Sequence, residues 1–599
     1  MKASTMSLHW LAYYRPMKLA VYAACYRVLL QPLRDWSYCG KVMADPWGRS
    51  CLVFPRFFSF VHDSPEAMDM LCVRGGSKRC AFPCTRCKVP GQELHNLDST
   101  YEARTEEDQQ AVFGRLADAS LTANARSQLS QHESTQPVAS GLWGWAGLPG
   151  GANRAFYPEG MHVFDLGVFL YMVRLIKPLL VHQHGGLGAG RLLAELNRRS
   201  TEVPRAHDFQ IPSPGSYFTG KGAARTQAKE QRNMMVLMPH FLNDIHPSMS
   251  EAFLRYLQAY TLIFRKNCSS VITEDDLVAI DMAILHFHNS FRSVFAAHMD
   301  SEGDTIKYHM MGHVVDTIRD MGGMMDVHAQ FFEASHRNVK LWYRLTNKRQ
   351  RNNTEAMVSR ARLLMMAHAC DADALGVPQY ETAHSIATSR GEHTVVQQSQ
   401  RMDVELASSA GCNLLSQQPE LRQLSTLPQE ACATLHMAMP VFINVVNTAV
   451  LAASVDWEPD CSVAQTVRAT PCFYNRPWFD NVALNTEPET FAQLRLLFTA
   501  GDMKLAMVRC YQELPPKEQA AHVLSKHGNT RLRWAQQGHS YEVVQLAFIK
   551  RRVFILPDWS KKDGQHFHLC KGKWDRSEAD SRSLATIHKE GYKEGVFVN

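Results

Sequence analysis

The sequence predicts an α/β chain with a helical middle and a β-rich C-terminal module. Two short apolar runs between positions 41 and 63, rich in Val, Phe and Leu and bounded by turn residues, indicate strands near the N-terminus. From about position 161 to 298, apolar residues recur at helical spacing in several segments. Beyond Ala453, short apolar runs alternate with Gly, Pro and Asp turns, a pattern typical of a small barrel or a strongly bent sheet.

Composition places the chain among soluble, intracellular proteins. Its 599 residues are enough for two to four domains, and 45% hydrophobic with 20% charged residues is a globular balance. A formal net charge of +6 permits nucleic-acid binding without requiring it. The 15 cysteines are mostly scattered, and no apolar stretch approaches the roughly 18 residues that span a bilayer. We therefore expect a reducing compartment, no disulfide framework and no membrane partner.

The N-terminal elements carry two candidate acids. A helix is predicted from Met17 to Leu30, followed by the two strand-like runs, and a second helix is predicted to begin at Ser64 with Ser as its cap. Asp45 ends the first run and Asp63 ends the second. A carboxylate at the end of a strand is a common place for chemistry in an α/β sheet, although a turn-capping role explains Asp63 equally well.

A cysteine cluster follows these acids. Cys80, Cys84 and Cys87 have C-x3-C-x2-C spacing, and His95 lies eight residues beyond the last. Three thiolates and one imidazole are sufficient for a closed tetrahedral Zn²⁺ site. Free structural cysteines remain the alternative interpretation.

The middle of the chain is expected to be helical. A polar stretch from Glu102 to Pro137 predicts a helix and a connection, and a buried helix is predicted from Met161 to an end at Pro178 or at Gly185-Gly186. Glu159 and His162 lie at the start of that buried helix, either as a capping carboxylate with a half-buried histidine or as part of a site. Two further helices are predicted, from Ser250 to Phe264 and from Thr273 to His298.

A basic stripe precedes those two helices. Arg225, Lys229 and Arg232 recur at helical spacing beside apolar methionines, so they would contact DNA phosphates or form a solvated face over the core. The nearby Gly-Lys-Gly has neither the following Ser or Thr nor the spacing of a nucleotide-binding P-loop.

The segment from Ile306 to Asn353 has the densest chemistry. His309 and His313 are four apart and would share one helical face, where packing or DNA contact is favoured over metal binding because no H-E-x-x-H pattern is present. Phe332 to Asn347 predicts a helix with polar groups along one stripe, which suits either a metal and phosphate site or a solvated face. The candidate residues of this segment are Glu333, His336, Lys340, Arg344, Lys348, Arg349 and Arg351.

Taken in order, these features resemble the Plavaka and CACTA-like cut-and-paste transposases. The matching elements are Gln31-Pro32-Leu33, Asp45 with Gly48, Asp63-Ser64-Pro65-Glu66, the cysteine cluster, Glu159-x2-His162, Lys307-x-His309-x3-His313 and the helix bearing Glu333. The sequence departs from the family at Asp45, where Pro46 replaces the usual glycine and constrains the turn. Glu159 likewise stands where the family has Asp or Cys.

The resemblance implies an RNase H-like catalytic core remnant interrupted by a large α-helical insertion and followed by a small β-rich domain. It implies metal-assisted phosphoryl transfer on DNA with Mg²⁺ or Mn²⁺, in which Asp45 is the second acid, Glu333 the third and Asp63 the reserve. Glu159, His162 and His336 are accessory residues in this interpretation. The first acid has no counterpart before Asp35, so a truncated, decayed or domesticated derivative is expected.

The predicted organisation has four segments. Residues 1–100 hold the partial RNase H-like strands and the cysteine cluster, 101–370 the helical insertion and the glutamate helix, 371–452 a linker and helical connection, and 453–599 the β-rich module. We expect a nuclear, transposase-derived DNA-binding protein of the DDE type that forms homo-oligomers. The alternatives are a non-catalytic domesticated DNA-binding or assembly protein and, more weakly, a zinc-dependent intracellular enzyme.

Overall fold

The architecture was obtained from a computed structural model of the chain, which divides into two units. The first unit is Met1–Ala194, Ser216–Pro239 and His246–Leu345, and the second is Glu195–Gly215, His240–Ile245 and Thr346–Asn599. The structure describes residues 2–44, 48–56, 59–75, 80–97, 99–145, 151–204, 209–212, 217–218, 223, 226–264, 272–298, 305–324, 329, 343–344, 357, 359, 394–395, 402–405, 442–446, 448–455, 458–473, 476–500, 503–520, 529–535, 541–561 and 563–570.

Helices dominate the described part of the first unit. In chain order they are α1 (Lys2–Cys39), α2 (Ser64–Met70), α3 (Glu106–Leu116), α4 (Ala123–His132), a π-helix (Gly160–Phe169), α5 (Leu170–Glu202), α6 (Ala228–Leu242), α7 (Pro247–Ile263), α8 (Glu274–Phe295), α9 (Ile306–His309) and α10 (Val314–Met321). Helices α5 and α6 each run across the division between the units. Short 3₁₀ turns lie at Gly91–Glu93, Gly151–Ala155, Ala296–His298 and Met310–His313.

The N-terminal strands differ from the prediction. Strands β1 (Lys41–Ala44) and β2 (Ser50–Val53) form an exposed antiparallel hairpin that pairs Lys41 with Val53. The second strand therefore ends at Val53 and not at Asp63. Among the residues that the structure describes in the first unit, this two-stranded hairpin is the only β-sheet. The larger sheet expected of an RNase H-like fold is therefore not confirmed.

Asp63 itself begins a helix. Its Oδ1 atom accepts the backbone N–H of Glu66 at 2.7 Å, and Pro65 lies in the first turn of α2. The predicted helix is present, but Asp63 and not Ser64 is its N-cap. A short carboxylate is among the best acceptors at this position, because it pairs with an N–H group that has no partner within the helix.

The helical core of the first unit is aromatic. Helices α7 and α8 pack on each other, and the Tyr256 hydroxyl donates to the Phe164 carbonyl of the π-helix at 2.9 Å. The sequence predicted the ends of both helices to within three residues of their observed positions. Large side chains with no more than 2% exposure fill this core, namely Phe164, Phe169, Phe253, Tyr256, Tyr260, Phe264, Phe287, Phe291 and Phe295.

Helix α5 continues past Pro178, the first of its two predicted ends. Leu179 and Leu180, directly after the proline, are 1% and 0% exposed, so burial of apolar surface maintains the helix where an exposed proline would end it. The helix kinks at Gly185, whose φ of 67° and ψ of 172° are not helical. Only glycine adopts this conformation without a steric penalty.

The second unit is rich in strands, as predicted. Its strands are β3 (Thr394–Val395), β4 (Met402–Glu405), β5 (Phe442–Val446), β6 (Thr448–Val455), β7 (Glu458–Phe473), β8 (Arg476–Phe479), β9 (Asn481–Leu484), β10 (Thr490–Ala500), β11 (Met503–Glu513), β12 (Thr530–Trp534), β13 (Tyr541–Gln545), β14 (Ile549–Val553), β15 (Ile555–Pro557) and β16 (His566–Leu569). One short helix, α11 (Pro516–Ala520), lies among them. Strands β3 to β6 begin within the segment that was predicted to be a linker and helical connection.

Antiparallel pairing organises this unit into a ten-stranded sheet and a four-stranded sheet. The main path of the larger sheet runs β14-β9-β10-β11-β12-β16-β15, and β13 pairs with β11. One face of the larger sheet covers a core that includes Leu494, Val508 and Leu546, none more than 2% exposed. None of the helices described in either unit has the length and apolar character needed to cross a bilayer.

Candidate metal centre

Two cysteines and two histidines converge in the first unit. The ligand atoms of Cys84, Cys87, His309 and His313 all lie within 4.8 Å of one another. Cys84 Sγ lies 3.4 Å from His313 Nε2, Cys87 Sγ lies 3.2 Å from His309 Nε2, and the two Nε2 atoms are 3.2 Å apart. The first three of these residues are at most 3% exposed.

Each pair comes from one short segment. The C-x2-C loop presents both thiols from a single turn, and the backbone N–H of Arg86 donates to Cys84 Sγ at 3.3 Å. His309 ends α9, which begins at the Thr305 cap, and His313 ends the following 3₁₀ turn. The four-residue spacing brings both imidazoles to the same side, where they meet the two thiols.

Buried side chains fix the cysteine loop. Arg104 donates to the Cys84 carbonyl at 3.1 Å and to the Phe82 carbonyl at 2.7 Å. Arg86 donates to the carbonyls of Arg154 and Phe156. Asn153 donates to the Thr85 carbonyl at 2.9 Å. The loop is therefore held in its ligand-presenting shape by contacts outside the ligand set.

The protonation states of the four groups are interdependent. Burial alone would raise the pKa of the Cys84 thiol, but hydrogen bonds from Cys87 and the neighbouring imidazoles lower it well below its usual value. The hydrogen bond to Cys84, together with burial, raises the pKa of Cys87. Burial lowers the pKa of His313, which favours its neutral form. One thiolate and a neutral imidazole are therefore favoured before any cation binds.

The geometry matches the requirements of Zn²⁺. Zinc binds thiolate sulfur at about 2.3 Å and imidazole nitrogen at about 2.0–2.1 Å, so a tetrahedral site separates neighbouring ligand atoms by about 3.3–3.8 Å. Three of the separations, at 3.2–3.4 Å, lie close to that range, and all ligand atoms lie within 4.8 Å of one another. Two sulfurs with two nitrogens is also a common structural zinc set.

This group differs from the four ligands suggested by the sequence. Cys84 and Cys87 are in it, but Cys80, which is buried, and His95, which is half-buried, are not. His309 and His313 were assigned to packing or DNA contact. The sequence contains both halves of a four-ligand site, since a C-x2-C pair supplies two ligands and an H-x3-H pair supplies the other two.

A second polar cluster surrounds Glu159, which is 1% exposed. Its carboxylate caps the π-helix by accepting the backbone N–H groups of Met161 at 2.9 Å and His162 at 2.7 Å. It also pairs with His162 Nδ1 at 2.8 Å and accepts the backbone N–H of Ala329 at 2.7 Å. The capping role expected for Glu159 is present, and the carboxylate also reaches a distant part of the chain.

Charges around this cluster come from three segments. Burial alone would lower the pKa of His162, but the hydrogen bond and charge of Glu159 raise it, with a further contribution from Asp63. Burial lowers the pKa of Lys307, although Asp63 and Glu159 oppose that effect. The reserve acid, the accessory histidine and the lysine of the K-x-H motif are therefore close enough to influence one another.

The remaining candidates are dispersed or lie outside the described residues. Arg232 pairs with the fully buried Asp165 at 2.7 Å, whereas Lys229 and Arg344 are exposed. The candidates outside the described residues are Asp45, Arg225, Glu333, His336, Lys340, Lys348, Arg349 and Arg351. Their predicted roles in catalysis and DNA contact remain predictions.

Comparison with known proteins gives a family match over part of the chain. No curated protein matches the chain. A family model does match, over a segment that contains most of α1, all of α2 to α4 and the two cysteines of the metal centre. The predicted resemblance beyond this segment, which includes the two histidines, remains a prediction. Residues 10–148 match the model described as Plavaka transposase, which confirms the family resemblance over that part of the chain.

Proposed function

We propose that this chain is a transposase-derived DNA-binding protein whose first unit is organised by a structural Zn²⁺ ion. The observation that carries the zinc proposal is the convergence of Cys84, Cys87, His309 and His313. DNA as a partner is supported by the match to a transposase family and by the net charge of +6.

A structural role for the metal follows from the ligand count. Four protein ligands fill a tetrahedral zinc site, whereas catalytic zinc sites keep one position open for water or substrate. The burial of the ligand set also limits access by a substrate. This arrangement weighs against the alternative of a zinc-dependent enzyme.

The metal would join distant parts of the chain. Its cysteine and histidine ligands are separated by 229 and 222 residues in the two contacting pairs. It would therefore link the segment that matches the Plavaka family to the region that precedes Glu333. Structural zinc in small domains contributes about 10–16 kcal/mol of apparent binding free energy, so its loss would strongly destabilise these contacts.

Metal analysis of the purified protein tests the zinc proposal. We expect about one zinc per chain by inductively coupled plasma mass spectrometry, since the site has one complete set of ligands. Cys84→Ser and His309→Gln should each lose it, and Cys51→Ser should retain it because Cys51 is exposed on β2. Cys80→Ser and His95→Gln should also retain zinc if the structural ligand set is correct, and should lose it if the set suggested by the sequence is correct. Zinc that depends on Cys80 and His95 but not on His309 would overturn the proposed set.

The proposed function also includes cleavage of DNA strands. In the DDE interpretation, Asp45 and Glu333 hold Mg²⁺ or Mn²⁺ for DNA strand cleavage and transfer. Nicking of labelled DNA that requires either ion and is abolished in both Asp45→Asn and Glu333→Gln would support it. DNA binding without cleavage, with a salt dependence that reports phosphate contacts, would instead support the non-catalytic alternative.

A further inference from the structure

We propose that the face of the second unit around Arg509, Trp534 and Tyr541 binds single-stranded DNA. This inference concerns a site separate from the zinc centre and does not depend on it. It rests on a group of arginine and aromatic side chains on adjacent strands of the larger sheet, at positions to which neither the sequence nor the family match assigned a role.

Cross-strand register builds the face. Arg509 on β11 pairs directly with Tyr541 on β13, and Tyr511, two residues further along β11, pairs with Trp534 on β12. Residues two apart on a strand share one side of the sheet. Arg509 and Tyr511 therefore lie on the same side, where both meet Trp534.

The side chains form a stack. The Arg509 guanidinium lies 3.9 Å from the Trp534 ring centre and 5.7 Å from that of Tyr541. The Tyr511 and Trp534 rings stack at 4.2 Å with an interplanar angle of 14°. Arg509, Trp534 and Tyr541 are half-buried, so each keeps part of its surface toward solvent. The Tyr511 and Trp534 rings are nearly parallel, and the stack is partly exposed at Arg509, Trp534 and Tyr541.

The Arg509 charge has no carboxylate partner in the part of the chain that the structure describes. Among the residues that the structure describes, the Arg509 side chain makes no hydrogen bond or ion pair, and its Nε atom is buried without an acceptor. Burial lowers the pKa of Arg495, and the nearby positive charge of Arg509 lowers it further. The carboxylate of Glu542 is associated with Cys510, whose side chain belongs to the core on the other face of the sheet. An anion that approached Arg509 would therefore meet unneutralised charge.

Single-stranded DNA has the chemistry that this face requires. Phosphate oxygens can accept the free guanidinium N–H groups, and unpaired bases offer flat rings for stacking on Tyr541, next to the Trp534 ring that Arg509 and Tyr511 already contact. In a DNA duplex the bases are already stacked and paired, so they are not available to stack on the aromatic rings of this face. An acidic peptide would satisfy the charge but would bring no base to the rings.

Binding of a fluorescein-labelled 15-nucleotide oligo(dT) to the full chain tests the proposal. We expect Arg509→Gln to weaken binding about tenfold and to reduce the slope of log affinity against log salt by about 0.7, the value for one lost phosphate contact on a single strand. Arg509→Lys keeps the charge but loses the planar stacking group, so it should weaken binding with little change in that slope.

Arg533→Gln is the matched control. Arg533 neighbours Trp534 on β12 and therefore points to the opposite side of the strand, so its removal changes net charge equally without altering the stack. We expect the affinity of this variant to stay within about twofold of the wild type, because the charge it removes lies on the other side of the strand. Equal loss in Arg509→Gln and Arg533→Gln would overturn the proposal in favour of a general charge effect.

Mapping separates this face from any DNA site elsewhere in the chain. Photo-crosslinking with an oligonucleotide that carries 5-iodouracil, followed by mass spectrometry, should label peptides that contain Trp534 or Tyr541. Crosslinks confined to the first unit would overturn the proposal. Binding of an abasic strand, or of poly-glutamate, as tightly as oligo(dT) would also overturn it, because the bases would then contribute nothing.

Discussion

Glu159 Oε1 and the backbone N–H of Ala329 are joined by a 2.7 Å hydrogen bond across 170 residues of sequence. Ala329 lies four residues before Glu333, the third acid that the family resemblance implies. The same carboxylate caps the π-helix and orients His162. Glu159 is therefore a positioning residue that fixes Ala329, and also His162 at the start of the π-helix.

Replacing Glu159 with Gln should destabilise the first unit. The amide keeps the size of the side chain but places an NH₂ group where the carboxylate accepts N–H donors, and a buried group without its partner costs about 1–3 kcal/mol. Urea unfolding and faster amide hydrogen exchange at Ala329 would measure the effect. Glu107→Gln, an exposed acid in the first turn of α3, is the control and should change stability by less than about 0.5 kcal/mol. Unchanged exchange at Ala329 would contradict the positioning role.

His62 should make the first unit less stable in acid. Its ring is 7% exposed, lies 4.8 Å from the Phe156 ring, and burial lowers its pKa from 6.5 to about 4. Because the folded-state pKa is below the unfolded one, the stability that the neutral ring provides is complete above pH 6.5 and is lost as pH falls toward 4. The difference corresponds to about 3 kcal/mol.

Comparison of His62→Phe with the wild type isolates this contribution. The substitution removes the titrating group and keeps an aromatic ring, so its unfolding free energy should fall less than that of the wild type between pH 7 and pH 4.5. His132→Phe, at a site where the side chain is 76% exposed, should retain the wild-type pH dependence. Parallel pH profiles for His62→Phe and the wild type would show that His62 is not the responsible group.

Local signals predicted much of the helical architecture. Thr273 and Asp276 form a capping box at the start of α8, and apolar periodicity predicted α7 and α8. Cys84 and Cys87 were also identified, because C-x2-C is a short-range pattern. His309 and His313 were also singled out, but their H-x3-H spacing does not by itself show that they meet a cysteine pair more than 200 residues away. Asp63 shows the same limit, because an aspartate before Ser-Pro-Glu suits both a strand end and a helix cap.

Asp558 is the centre of a buried ion pair in the second unit. It is 3% exposed and lies 3.1 Å from Arg531 Nη2 and 3.4 Å from His568 Nε2. Asp558→Asn leaves the Arg531 charge without its carboxylate, so we expect a loss of about 3–5 kcal/mol. Hydrogen–deuterium exchange of peptides covering β12 and β16 during urea unfolding measures it. Asp563→Asn, at an exposed carboxylate near β16, should stay within about 0.5 kcal/mol of the wild type, and an equal effect of both substitutions would contradict the assigned role.

Gly141 permits close packing against helix α1. A Cβ atom at this position would lie 2.2 Å from the carbonyl oxygen of Ala23, well inside van der Waals contact. Because the obstacle is backbone and not a flexible side chain, Gly141→Ala should displace α1 and destabilise the first unit by about 1–3 kcal/mol. Gly114→Ala is the matched control, because Gly114 lies inside α3 with no atom within 4 Å of its Cβ position, and there the better helix propensity of alanine should add about 0.5–1 kcal/mol. Opposite signs in urea unfolding are the expected result, and a stabilising effect of Gly141→Ala would mean that α1 does not pack on this loop as the structure shows.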